Sequence, residues 1–243
     1  MNNEGLITAV YSGIFLSLFA LGELLYNVFK FKAETTRKIV HFGTGFICFS
    51  FPLYITEHWS VLFLTISFVL LLVLSMKFKF LKSINGIDRK TNGSFLFPIS
   101  IYMIFWAYSI IGKENYYGGD LIWTSSRDIN GVLNNTDGVY YFLPLLIFSV
   151  SDPLAALFGK KWPFGKYTIL KETKTVVGSI VFLLSSFCIS LLFMTNQSSS
   201  LSSAIIISLI LGVSTTLAEG ISQKGFDNIL IPITAIAILF IIK

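Results

Sequence analysis

Apolar residues in this chain run on in long stretches that charged residues interrupt only at intervals, without the alternation of a half-buried strand. The stretches fall at 6–29, 39–56, 59–76, 94–111, 138–158, 175–194, 201–217 and 229–242. Crossing a hydrocarbon core about 30 Å thick takes about 20 apolar residues of helix. The pattern therefore predicts an all-α integral membrane protein, a polytopic helical bundle of about eight transmembrane helices. The stretch 229–242 is short for a crossing: it begins nearer Phe226, lies in a thinner part of the bilayer, or stops short of the far side. No repeat with a period of about 20–50 residues is present, and Ser198 to Ser203 is a short serine-rich turn.

Composition agrees. Of the 243 residues, 54% are hydrophobic and 13% charged, outside the range of soluble proteins, and the spans use nearly the whole chain, so 1–243 is expected to form a single membrane-embedded domain. Cys48 and Cys188 both lie inside apolar stretches and make no disulfide framework. No lysine or arginine precedes Lys30, so the first stretch lacks the basic start of a cleaved signal peptide and is expected to be retained as a span. The net charge of +5 does not call for nucleic acid, because the basic residues sit in loops beside the spans.

Those loops alternate in charge. Lys30, Lys32, Arg37 and Lys38 precede the second span; Lys77, Lys79, Lys82, Arg89 and Lys90 follow the third; Lys160, Lys161, Lys166, Lys171 and Lys174 follow the fifth; Lys224 follows the seventh. The intervening segments carry Glu57 and His58, then a loop at 112–137 with Gly118-Gly119 and Asn134-Asn135, then the uncharged 195–200. By the positive-inside rule the first set is cytoplasmic and the N-terminus outside, which places fifteen of the eighteen basic residues on one face.

Four polar clusters fall on that face. In the first, Arg37-Lys38-Ile-Val-His41, spacings of three and four let a basic side chain share a helical face with His41, a residue costly to leave in lipid. Gly43 and Gly45 just beyond read as helix-packing positions. The second, Asp88 to Ser94, reads mostly as a turn, with Asn92 and Gly93 as weak candidates. The third holds Asp152, an acid inside an apolar run, where an ionised carboxylate costs about 3 kcal/mol or more and must be paired or bind a cation. Pro153 follows it and loosens the helix. Lysines beside a carboxylate-bound divalent cation are what a polyphosphate needs, so Lys160, Lys161, Lys166 and Lys174 are candidate phosphate clamps. Gly159 and Gly165 would allow close backbone approach, and Thr175 with Gly178 opens a helix whose N-terminal N–H groups attract anions. In the fourth cluster, Glu219, Asp227 and Asn228 bring carboxylates to the side of Asp152 and are candidates for metal or nucleotide binding. Glu23, the other intramembrane acid, reads equally as a structural partner for a base such as Arg37 or as a functional acid.

Arg37-Lys38-x-x-His41, Gly93-Ser-Phe-Leu-Phe-Pro98, Asp152-Pro-Leu-Ala155 with Gly159 and Gly165-Lys166, Lys174-Thr175-x-x-Gly178-Ser179, and Glu219 with Asp227-Asn228 together resemble the CTP-dependent lipid kinases. That family includes dolichol, phytol and farnesol kinases and the fungal CTP-dependent diacylglycerol kinase, and is related to phosphatidate cytidylyltransferases. The resemblance implies transfer of the γ-phosphate of CTP to the hydroxyl of a membrane-dissolved lipid alcohol, with Mg²⁺ or another divalent cation. It implies that Asp152 is the essential acid, Gly159 part of the nucleotide turn, and Arg37-Lys38 a required basic pair. The expected site then has Asp152, His41 and Glu219 as catalytic residues and Asp152, Glu219 and Asp227 at the metal. Arg37, Lys38, Gly159, Lys160, Lys161, Gly165, Lys166, Lys174, Thr175, Gly178 and Asn228 would hold the nucleotide. Glu172 stands where cytidylyltransferases commonly carry a Ser-Pro-Lys-Lys-Thr type of sequence, and their paired carboxy-terminal aspartates are missing, which favours the kinase. CMP transfer to a lipid phosphate is the nearest alternative, and a transporter the alternative of another class. The expected partners are CTP, the lipid alcohol and the bilayer, with no nucleic acid; a homo-oligomer stays open.

Overall fold

The computed structural model describes residues 3–86, 92–114, 136–169, 172–198 and 200–242. Asp88, Arg89, Lys90, Thr91, Lys171 and most of the loop 112–137 lie outside the described residues. The described chain is helical almost throughout: α1 (Asn3–Asn27), α2 (Ala33–Cys48), α3 (Phe51–Tyr54), α4 (His58–Phe78), α5 (Lys82–Asn85), α6 (Gly93–Glu114) and α7 (Thr136–Leu146). A π-helical turn, Ile147–Ser151, joins α7 to α8 (Asp152–Lys161). A hairpin of β1 (Lys166–Ile169) and β2 (Glu172–Thr175) follows, then α9 (Val176–Gln197), α10 (Leu201–Ile221) and α11 (Asp227–Ile242). The two strands pair antiparallel, with Lys166 opposite Thr175 and Ile169 opposite Glu172.

The protein is an all-α polytopic integral membrane protein. Among the described residues six helices are long and apolar enough to cross a bilayer. Phe46, Phe63, Leu192, Leu217 and Ile241 are each more than 60% exposed, a distribution that suits lipid and would be an aggregation hazard in water. The expected spans at 39–56 and 229–242 come out shorter. Pro52 lacks the N–H that would bond the carbonyl of Cys48, and α2 ends there after 16 residues, with α3 restarting beyond a turn. α11 also has 16 residues, a length of about 24 Å at about 1.5 Å per residue, short of a hydrocarbon core about 30 Å thick.

The central element is the rod α7–π turn–α8. Two-thirds of its apolar window (67%) is buried, against 17–50% for the other five candidate spans. Tyr141, Phe142, Leu143, Leu145, Ile147 and Phe148 are wholly buried along it. α2 lies against the rod because Gly45 leaves room for Ser149: a Cβ there would overlap the serine side chain. Tyr141 Oη–H donates to the Cys48 carbonyl at 2.7 Å, satisfying a group that the broken end of α2 orphans. α1 packs along α2 and α4, α4 along α6, and α9 along α10.

Glu23 does not meet Arg37. Its carboxylate accepts from Ser83 N–H at 2.8 Å and from Asn27 Nδ2 at 2.9 Å, because α5 turns back beneath α1 and presents backbone donors to it. At the other end of α1, Glu4 accepts from Thr56 N–H at 2.9 Å and from the Thr56 and Ser60 hydroxyls, closing the N-terminus of α4.

Replacing Gly45 by valine should therefore destabilise the protein by about 1–3 kcal/mol, read as a lower unfolding midpoint in detergent. Gly220→Ala, where the added methyl meets nothing within 4 Å, should leave the midpoint unchanged or slightly raised.

Candidate active site

The site grows from a fault in the central rod. In the π turn the donor for the Phe148 carbonyl would be the residue five places on, and that residue is Pro153, which has no N–H. His41 on α2 takes the vacancy: its Nε2 lies 3.3 Å from the Phe148 oxygen. With the proton on Nε2 for this bond, Nδ1 is left as an acceptor. Phe97 and Phe148 hold the imidazole, with ring centroids at 4.3 and 5.0 Å.

One residue past the fault, Asp152 begins α8. Its Oδ2 receives Lys38 Nζ at 2.5 Å, with the side chains only 15% and 7% exposed, and lies 3.9 Å from His41 Nε2. Lys38 and His41 are three residues apart on one helix, which is why both reach the same carboxylate.

A second buried ion pair closes the opposite side. Lys174 at the end of β2 donates to Glu219 Oε1 at 2.5 Å and also reaches the Glu219 carbonyl. Asp227 opens α11, and the charges of Asp152, Glu219 and Asp227 act on one another, with Lys38 and Lys174 offsetting them. The backbone locks these helix ends in place. Asn228 Nδ2 donates to the Gly93 carbonyl at 2.7 Å, Asn92 N–H to the Lys224 carbonyl at 2.8 Å, and Ser100 Oγ to the Asn228 carbonyl at 2.5 Å. Gly93 lies against the Arg37 guanidinium, where any larger residue would collide with it. Among the described residues, members of the four polar clusters thus meet at one end of the bundle: Arg37, Lys38 and His41, then Asn92 and Gly93, then Asp152 and Lys174, then Glu219 and Asn228.

Other candidates have different surroundings. Lys160 pairs with Glu34, and Lys161 lies 4.5 Å from the centre of the Trp162 ring, so neither joins the Asp152 group. Lys166 is exposed at the start of β1. Gly159 faces Gly178 and Thr175, 3.3 Å from the Gly178 Cα for a built Cβ, so this pair lets α8 and α9 cross closely. The expected anion site at the start of α9 is partly filled from within, since Thr175 Oγ1 accepts from Gly178 N–H at 3.1 Å as an N-cap. Gly165 has φ +63°, the left-handed turn that admits the hairpin.

The polar end opens into an apolar cavity, part of it open to the surroundings. Arg37, His41 and Ser94 stand at its mouth, and Phe15, Phe19, Phe68 and Phe97 line its body. The sequence reading missed these phenylalanines, which look like any others in a span. Among the described residues no group of three or more His, Cys, Asp and Glu side chains forms a ready-made metal cage. The donor chemistry still suits Mg²⁺, which takes one or two carboxylates plus substrate oxygens, and Asp152 with Asp227 would supply those.

The chain is similar to a phytol kinase of Synechocystis sp., with 21% identity over 227 residues that cover 93% of this chain and 86% of the relative. No family model and no solved structure matches it. A similarity running nearly end to end agrees with the family resemblance carried by the motifs.

Removing Lys38 alone should leave Asp152 as an uncompensated buried charge. Lys38→Met is expected to cost about 3–5 kcal/mol, and Lys38→Met with Asp152→Leu to regain most of it, measured by thermal unfolding of the two variants in the same detergent.

Proposed function

We propose that this protein is a membrane lipid-alcohol kinase that transfers the γ-phosphate of CTP to the hydroxyl of an isoprenoid alcohol of the phytol, farnesol or polyprenol type. The observation that carries the reading is the apolar cavity opening at Arg37 and His41, beside the Lys38–Asp152 pair. An acceptor with one hydroxyl on a hydrocarbon body needs such a channel, and a polyphosphate donor needs the cations at its mouth. The similarity to a phytol kinase supports the same acceptor class.

In this reading the tail lies among Phe15, Phe19, Phe68 and Phe97 with the hydroxyl beside His41. Arg37, Lys38 and Lys174 face the nucleotide phosphates and offset their charge, the main requirement in phosphoryl transfer. The hydroxyl oxygen bonds to the γ-phosphorus, the bond to the bridging oxygen breaks, CDP departs, and the hydroxyl proton passes to His41 Nδ1. Lys38 offsets the charge of Asp152, and Gly93, whose carbonyl accepts from Asn228, leaves room for the Arg37 guanidinium. A divalent ion held by Asp152 and Asp227 would neutralise charge on the phosphate oxygens. The positive-inside distribution supports a cytoplasmic position for this end of the bundle, with the N-terminus outside.

Purified protein given CTP labelled at the γ position should pass label to an isoprenoid alcohol, while label at the α position should stay in the nucleotide. Appearance of α label in lipid would overturn the kinase in favour of CMP transfer. Asp152→Asn should lower kcat by about 10²-fold or more. Lys160→Ala, which loses only a surface pair with Glu34, should change kcat/KM by less than about twofold.

A further inference from the structure

The strand β2 grips the connection between α10 and α11 at two points. Glu172 and Lys174 lie two places apart on the strand and so project to the same side. Lys174 reaches the end of α10, at the Glu219 carboxylate and carbonyl and at Ser222 Oγ, 3.5 Å away. Glu172 reaches the loop beyond it: Oε1 accepts the Lys224 N–H at 2.5 Å, across 52 residues of sequence.

The turn that Glu172 touches needs holding. Lys224 has φ +50° and Gly225 φ +89°, two consecutive left-handed positions. Glycine adopts such an angle freely, but the Cβ of a lysine makes it unfavourable. A residue kept in that region persists where its surroundings over-determine it. Both backbone groups of Lys224 are engaged from outside the turn: the N–H goes to Glu172, and the carbonyl accepts the Asn92 N–H at 2.8 Å. The loop then closes on itself, with the Phe226 N–H on the Gln223 carbonyl at 2.9 Å and the Asn228 N–H on the Gly225 carbonyl at 3.3 Å. Asp227 opens α11 directly afterwards, and Asn228 carries its amide to the Gly93 carbonyl. Where α11 starts, and with it the Asp227 carboxylate, therefore depends on this turn.

We propose that Glu172 is a positioning residue for the polyphosphate end of the site: it fixes the Lys224-Gly225 turn from the hairpin side and so sets Asp227 and Asn228 in place. The proposal rests on the lipid-alcohol kinase reading and deepens it, adding a residue that touches neither donor nor acceptor. Removing the carboxylate releases the Lys224 N–H, lets the turn relax and loosens the start of α11. A glutamine keeps an acceptor oxygen at the same reach and keeps the turn.

Two quantities test it on the purified full chain in detergent: amide hydrogen exchange across residues 219–228, and the Kd for labelled CTP by equilibrium dialysis with Mg²⁺ present. Glu172→Ala should speed exchange in that segment and raise the Kd about tenfold, the scale of one hydrogen bond to a charged group. Glu172→Gln should bring both back to within about threefold of the unmutated protein. Thr173→Ala, on the other side of β2, should change neither. Unchanged exchange in Glu172→Ala overturns the hold on the turn, and faster exchange with an unaltered Kd overturns the positioning role. Exchange restored by glutamine without recovery of the Kd assigns the effect to the charge and also overturns it. The expected responses in a protein that binds CTP but passes no phosphate to an alcohol keep the role of Glu172 and remove the kinase. A chain that neither binds CTP nor transfers phosphate removes both.

Discussion

The ion pair between Lys38 and Asp152 is the interaction on which the rest of the arrangement depends. A carboxylate within a membrane-spanning rod is tolerated only with a partner, and here the partner comes from another helix, 114 residues away in sequence. A buried pair of this kind contributes little net stability against a well-packed apolar alternative, but breaking it is costly, so it holds α2 and α8 in one register. The same register brings His41 to the Phe148 carbonyl that the π turn and Pro153 leave without a backbone donor. The acid, base and histidine thus sit together through one local irregularity and one long-range charge contact.

Around that pair the polar end of the bundle is assembled from helix termini. The starts of α6, α8 and α11 and the end of α10 each bring one or two polar side chains. Their backbones are tied by Asn228 to Gly93, Asn92 to Lys224 and Ser100 to Asn228. Helix ends are where backbone groups lack internal partners, so polar side chains cost least there and accomplish most. The apolar cavity begins where this cluster stops, and the two together suit chemistry between a hydrocarbon-bound hydroxyl and a polyanion.

Much of this was legible along the chain. Apolar run length decided the membrane class and the approximate helix count, because spanning a hydrocarbon core leaves no alternative to a helix of sufficient length. Asp152 and His41 stood out because polar groups are expensive among apolar residues. The charge alternation put Lys38, Asp152, Lys174 and Glu219 on one side, where the fold pairs them. The shortened α2 was less visible, although Pro52 carries its cause, and the freed Phe148 carbonyl could have been suspected from Pro153.

Tertiary structure alone decided the partners. Glu23 goes to Ser83 N–H, Lys160 to Glu34, Lys174 to Glu219 and Gly159 to Gly178, and no spacing rule distinguishes these from the pairings expected. Long side chains reach several neighbours at similar energy, and packing selects among them. The apolar cavity is likewise invisible in sequence, since a phenylalanine facing lipid and one lining a cavity differ only in which neighbouring helix stands opposite. Composition and periodicity set what the chain is made to cross, and the register between distant helices sets where Asp152 finds its cation and where the apolar cavity forms.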